Sequence, residues 1–236
     1  LGIESFGEYC NFLFSPEGLE QEKLHMIDVV TTNKTDFFRE PKHFDYLVQH
    51  AIPELFRLRG AGIRQGLSIW SAGCSTGEEP YTLAMVLTEY AQSQPRFRFS
   101  ILATDISTRV LEKAFHGVYK EERVGLMPAS MKKKFLMRSK ERERGLVRVV
   151  PELRSCVEFR RLNFMDSNFG IDSSFDIIFC RNVIIYFDRP TQQKVLQTIY
   201  RHLKPGGYLF MGHSETLSSL SIPLVSVGSM VYRRPS

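Results

Sequence analysis

The residues best suited by type and spacing to do chemistry fall into three clusters. The first is Ser71-Ala72-Gly73-Cys74-Ser75-Thr76-Gly77-Glu78-Glu79-Pro80, set between an apolar run and a helix-forming stretch. Its glycines and small side chains let a ligand approach the backbone closely, and the helix start offers free N–H groups. The chain has neither GxGxxG nor GxxxxGK[ST] here. Two carboxylates at the helix start would also repel a phosphate. They suit a ligand that carries positive charge. The amino group of S-adenosylmethionine is such a group, and a carboxylate accepts its hydrogen bonds with charge assistance. Capping and dipole complementation are the alternative use of Glu78 and Glu79, although one acid is enough for that.

The second cluster is Ala103-Thr104-Asp105, closing the next apolar run. An acid at the end of a second strand is where doubly wound folds hold a pair of ribose hydroxyls, and the alternative is a helix cap. The third is Phe175 to Phe187, in which a buried run through Cys180 hands over to the polar pair Arg181-Asn182, with Tyr186 close behind. Ligands of open α/β sheets bind at the carboxyl ends of strands, where that pair falls.

Positioning these clusters requires alternating strands and helices. Short helices are expected at Phe6–Leu13, Glu17–Val30 and from Pro41 to about Leu58, before Gly60, Gly62 and Gly66 interrupt the chain. Strands are then expected at 67–71, 97–103, 157–162, 175–180 and 208–211, the last after a Pro205-Gly206-Gly207 turn. Helices are expected at 80–90, 108–115 and 190–203, and a closing hairpin at 222–233. This order predicts an α/β, doubly wound, mostly parallel sheet. Residues 1–60 read as an N-terminal helical segment and 61–236 as the main domain, with a small antiparallel β insertion at about 116–156.

Composition narrows the class. A chain of 236 residues, 43% hydrophobic and 24% charged, holds one good-sized soluble domain. There is no apolar run long enough for a membrane span and no signal-peptide pattern at Leu1-Gly2-Ile3-Glu4. The four scattered cysteines form no CxxC pair, which predicts a reduced cytoplasmic setting, and the six histidines show no ligand spacing that would hold a metal. The net charge of +5 is concentrated between Lys132 and Arg148, where eight basic residues meet Glu141 and Glu143. That segment is either a solvated face or a docking face for an acidic partner. No aromatic–basic interleaving of the RNA-binding kind is present, so nucleic acid is not the expected partner.

Five blocks carry a resemblance: Thr32 to Glu40, the glycine loop with Glu78-Glu79-Pro80-Tyr81, Ala103 to Ile106, Cys180 to Phe187, and Gly212-His213-Ser214-Glu215. In order and spacing they resemble the chemotaxis receptor methyltransferases, the CheR family. The resemblance implies transfer of a methyl group from S-adenosylmethionine, leaving S-adenosylhomocysteine, to glutamate side chains on the cytoplasmic domains of chemoreceptors. It implies that Asn33, Thr35 and Arg39 close over the cofactor, and that Gly73 belongs to its loop. Glu79 would bind the amino group, Asp105 the ribose, and Asn163 with Phe164 the adenine. Arg181 and Tyr186 would lie nearest the transferred methyl, with Asn182 shaping the pocket. In some members the insertion binds a receptor's C-terminal tail through a glycine-containing loop; here Arg138 to Gly145 has one glycine and many charges. Members also carry a longer N-terminal helical domain, most of which is expected to be missing from this chain.

An ionised glutamate is already a nucleophile at neutral pH, so no strong general base is required. Arg181 has the fork to grip a carboxylate, and Tyr186 could orient it. Two alternatives stay open on the residues alone: a methyltransferase of this architecture with another substrate, and a non-catalytic module that binds the cofactor as a sensor.

Overall fold

The computed structural model describes residues 1–217 and 220–236. Ten strands follow in chain order: β1 (Leu67–Ala72), β2 (Phe99–Asp105), β3 (Val118–Lys120), β4 (Leu136–Arg138), β5 (Leu146–Val149), β6 (Val157–Arg161), β7 (Phe175–Cys180), β8 (Leu203–Met211), β9 (Val225–Gly228) and β10 (Val231–Arg233). Seven of them form one sheet in the order β6-β2-β1-β7-β8-β10-β9. The first five of that order run parallel, while β10 and β9 close the edge antiparallel.

The central strands are apolar on both faces because helices cover both. Leu67 and Ile69 of β1 enter one core with Ile177 and Phe179 of β7. Trp70 and Ala72 enter the other with Ile178 and Cys180. Alternate side chains of a strand point to opposite faces, so the run 175–180 is apolar apart from Asp176, whose buried carboxylate is held by Arg59 and Lys204. This is the doubly wound α/β architecture expected. The chain moves from β1 outward to β2 and β6, then returns to lay β7 and β8 on the other side. The strand order therefore reverses between β1 and β7, and a crevice opens at their carboxyl ends.

Ten α-helices are found among the described residues: α1 (Phe6–Leu13), α2 (Pro16–Gln21), α3 (Lys23–Val30), α4 (Lys42–Tyr46), α5 (Ile52–Arg59), α6 (Glu78–Ser93), α7 (Thr108–His116), α8 (Ala129–Phe135), α9 (Pro151–Arg154) and α10 (Arg189–His202). The helix expected over 17–30 is broken in two. The chain turns at Glu22, whose carboxylate leaves the helix surface to accept from the Tyr9 hydroxyl at 3.0 Å. Between α4 and α5 lies one π-helical stretch, Leu47–Ala51, with the Ile52 N–H reaching back to the Leu47 carbonyl. Pro53 explains it: having no N–H, it cannot serve the carbonyl one turn back, and the helix widens locally.

The expected turn at Pro205-Gly206-Gly207 is instead absorbed into β8. The register against β7 shifts between Phe175 and Ile177, and Gly206 takes φ +72° to accommodate the extra residues. Residues 116–156 hold a three-stranded antiparallel sheet, β3-β5-β4, together with α8. No helix of the described residues is long and apolar enough to cross a membrane.

Candidate functional site

A cavity of about 370 Å³ occupies the crevice at the β1/β7 switch. Asn33, Thr35, Arg39, Gly73, Glu79, Asp105, Asn163, Phe164, Arg181, Asn182 and Tyr186 all line it. The residues singled out from sequence therefore meet around one space, although they span more than half of the chain.

The floor is backbone. Gly73 and Cys74 each donate an N–H to the Thr104 carbonyl at 2.8 Å, which pulls the loop after β1 over the end of β2. Gly73 has φ +84°, and a Cβ there would lie 2.3 Å from Cγ2 of Val183. Gly73→Ala should consequently cost about 1–3 kcal/mol through the strained backbone and the clash. Differential scanning calorimetry should show Tm lower by roughly 2–10 °C; an unchanged Tm would contradict this account of the loop.

Three carboxylates line the cavity; Asp36 is paired with Arg123, and the other two are Asp105 and Glu79. Asp105 accepts from the Ser75 N–H (2.8 Å, Oδ2) and the Ser107 N–H (3.1 Å, Oδ1). Those bonds aim the carboxylate and leave each oxygen a lone pair. Burial pushes its carboxyl above the ordinary range, opposed by these N–H donors. Glu79 accepts from the Ser71 hydroxyl at 2.7 Å and stands 3.4 Å from Nη1 of Arg181. Burial raises it too, against the pull of Arg181. A cationic group entering beside Glu79 would favour its ionised form.

Glu78 plays a different part from the one that its type suggested. Its side chain is buried away from the cavity, where it takes the Thr76 hydroxyl at 2.6 Å and Nη2 of Arg123 at 2.9 Å. Arg123 also donates to the Thr35 carbonyl and stands 3.3 Å from Asp36. The segment 32–40 is thus tied by Arg123 to the start of α6. Asn33 joins the same arrangement: its amide donates to the Thr31 carbonyl and hydroxyl, and its own carbonyl accepts from Ser75 Oγ. Arg39 donates to the Lys34 carbonyl, folding the segment on itself.

Arg181 forms the inner wall. Its side chain is only 2% exposed. It is flanked by Glu79 and by Glu40 at 3.3 Å, donates to the Arg39 carbonyl, and lies over the rings of Phe44 and Phe179. Its Nε is buried without a hydrogen-bond partner. Asn182 follows in the left-handed region, φ +58°. Glu215 holds that turn: its carboxylate accepts from the N–H groups of Asn182, Val183, Ile184 and Gly212 at 2.8–2.9 Å.

The remaining predicted residues sit at the mouth. Phe164 packs against Phe169 and Trp70. The Asn163 amide is spent on its own loop, accepting from the Met165 N–H and donating to Asp166. Tyr186 is 61% exposed at the rim.

Four contributors had no role in the sequence reading: Glu40, Ser75, Arg123 and Glu215. Glu40 and Glu215 lay inside the quoted blocks, but a carboxylate that binds backbone N–H groups across a fold has no local signature. Arg123 had none at all, since it comes from the insertion.

The family model described as CheR methyltransferase, SAM binding domain, matches residues 33–232. The chemotaxis protein methyltransferase of Borreliella burgdorferi is 43% identical over 92% of this chain and 75% of its own length. Chemotaxis protein methyltransferase 2 of Pseudomonas aeruginosa is 44% identical over 98% of this chain and 79% of its own. The Escherichia coli chemotaxis protein methyltransferase is 42% identical over 98% and 77%. Among solved structures, the N-methyltransferase NodS of Bradyrhizobium japonicum superposes with a TM-score of 0.47 at 12% identity, covering 91% of this chain and 98% of that one.

Proposed function

The chain belongs to the CheR methyltransferase family, and from that membership we infer an S-adenosylmethionine-dependent methyltransferase acting on chemoreceptors. We propose further that it esterifies glutamate side chains, and that it does so in the cytoplasm. The observation that carries the proposal is the buried guanidinium of Arg181, which lines the cavity beside Glu79.

The cavity fits the cofactor on its donor set. An amine-accepting carboxylate (Glu79), a diol-accepting carboxylate (Asp105) and the apolar Ile106, Phe164 and Met165 line one cavity of ligand size. At Gly73 a side chain would close the approach to the loop. When bound, the cofactor supplies a methyl group already activated on a sulfonium.

What the protein adds is placement. Glu79 receives the amino group, and Asp105, aimed by Ser75 and Ser107, receives the ribose hydroxyls. Phe164 and the Asn163 loop border the adenine. The segment 32–40, latched by Arg123, covers the top through Asn33, Thr35 and Arg39. Arg181 offers its unpartnered Nε to the incoming carboxylate, and Tyr186 at the rim steers it; Asn182 shapes the wall between them. A glutamate with a reference pKa near ~4.3 arrives ionised, so alignment rather than proton abstraction is the protein's task.

Asp105→Ala removes charge-assisted hydrogen bonds of about 1.5–3 kcal/mol, equivalent to roughly 10–100-fold in Kd. Calorimetric titration with S-adenosylhomocysteine should show that loss; undiminished affinity would remove Asp105 from the ribose.

The insertion presents β4 as an edge strand, with exposed Lys133 and Arg138 nearby. An extended receptor tail carrying acidic residues would add to that edge. The reaction itself is tested by methyl transfer from methyl-labelled S-adenosylmethionine to chemoreceptor-containing membranes. Alkali-labile label on the receptor is the expected result. Alkali-stable label would contradict carboxyl esterification, and cofactor binding without any label would favour a sensor.

A further inference from the structure

Glu40, just before α4, His43 within it, and His213, just after β8, each bring one ligand atom within 4.8 Å of the others. The His43 side chain is 2% exposed. Its Nε2 lies 3.2 Å from the Ser229 carbonyl and its Nδ1 lies 3.3 Å from Oε2 of Glu40. Both neighbours are acceptors, and a neutral imidazole has one N–H to share between them. With Nε2 protonated toward Ser229, the Nδ1 lone pair confronts a carboxylate oxygen. Both of those atoms are buried without a hydrogen-bond partner. A cation lodged between the two atoms would satisfy both.

We propose that Oε2 of Glu40, Nδ1 of His43 and Nε2 of His213 form a site for a divalent transition metal of the zinc class, with a fourth position open to solvent. The ligand chemistry suits imidazole-seeking metals and not magnesium or calcium, which take oxygen. A metal–ligand bond of ~2.0–2.1 Å gives a tetrahedral edge of roughly 3.3–3.4 Å, and the Glu40–His43 separation matches it. The Ser229 carbonyl anchors the far nitrogen of His43, as outer-shell partners of ligating histidines do. Nε2 of His213 is 4.0 Å from the same carboxylate oxygen, and that side chain is 55% exposed, so a small rotation completes the set. Arg181 also approaches this oxygen, at 3.3 Å, and must yield it.

Titrating the untagged full chain with cobalt(II) at neutral pH should develop the visible d–d bands of tetrahedral cobalt. They should saturate at one ion per chain and be displaced by zinc. His213→Ala and His43→Asn should each weaken cobalt binding at least ~10-fold and abolish the bands. His213 is on the surface, so His213→Ala keeps its metal-free Tm and remains decisive even if His43→Asn fails to fold. No saturable binding, or undiminished affinity in His213→Ala, overturns the site.

Discussion

Arg181→Ala is expected to reduce kcat/KM for receptor methylation on the order of 10²–10³-fold, the scale seen when one preorganised donor is removed from an active site. The guanidinium is the buried cation facing both Glu79 and the cavity, and the other basic side chains close to Glu40 among the described residues are the imidazoles of His43 and His213, which do not supply a fixed charge there. Removing it also leaves two carboxylates facing each other without a buried counter-ion, a situation that costs about 3–5 kcal/mol of stability. Loss of turnover in Arg181→Ala is therefore ambiguous between chemistry and folding. Arg181→Lys resolves it. Lysine retains the charge between Glu79 and Glu40 but lacks the planar fork. The expected pattern is a Tm close to that of the parent, affinity for S-adenosylhomocysteine largely preserved, and turnover still severely reduced. Native turnover in Arg181→Lys would sink the assignment of Arg181 to the incoming carboxylate. An equal fall in cofactor affinity and turnover would move its role to the cofactor.

Glu215→Ala should rank with it in effect, through structure and not chemistry. Four backbone N–H groups converge on this one carboxylate: three belong to the turn that carries Arg181 and Asn182, and the fourth is that of Gly212 just after β8. Asn182 is kept at φ +58°, a conformation that a non-glycine residue adopts reluctantly. Burial raises the Glu215 carboxyl above its usual range while the four donors pull it down. Truncation leaves those donors unpaired in a buried setting at about 1–3 kcal/mol each, partly recovered by water. A net loss of ~3–5 kcal/mol corresponds to a fall in Tm of roughly 6–20 °C for a chain of this size. Glu215→Gln keeps one acceptor oxygen but turns an NH₂ toward the remaining N–H groups, so it should recover part of the loss and not all. Full activity and an unchanged Tm in Glu215→Ala would show that the turn holds itself.

Both predictions rest on residues whose roles differ in how far the sequence betrayed them. The strand Phe175–Cys180 and its polar continuation were legible, because a strand buried on both faces is almost wholly apolar, Asp176 with its Arg59 and Lys204 partners excepted, and stops where the polar pair begins. The same local logic located the loop after β1 and the acid ending β2. It failed where a local signal had two outcomes. Pro205-Gly206-Gly207 reads as a turn, yet pairing with β7 absorbed it as a bulge; Pro41 to about Leu58 reads as one helix, yet a π-helical stretch interrupts it just before Pro53.

Glu78 and Glu79 mark the limit most clearly. They are adjacent, chemically identical and equally placed at a helix start, so nothing in their neighbourhood separates them. Successive helix residues point about 100° apart, and that rotation sends Glu79 to the cavity beside Arg181 while Glu78 turns to Arg123 from the insertion. The sequence by itself determined the layers and which blocks would gather at the sheet's carboxyl edge, since these follow from periodicity and strand ends. The tertiary structure alone decided which carboxylate meets the ligand, which one clamps the Arg181 turn, and that Glu40, His43 and His213 converge. Those outcomes depend on contacts between residues up to some 170 positions apart, and such contacts exist only once the sheet has brought their strands and loops together.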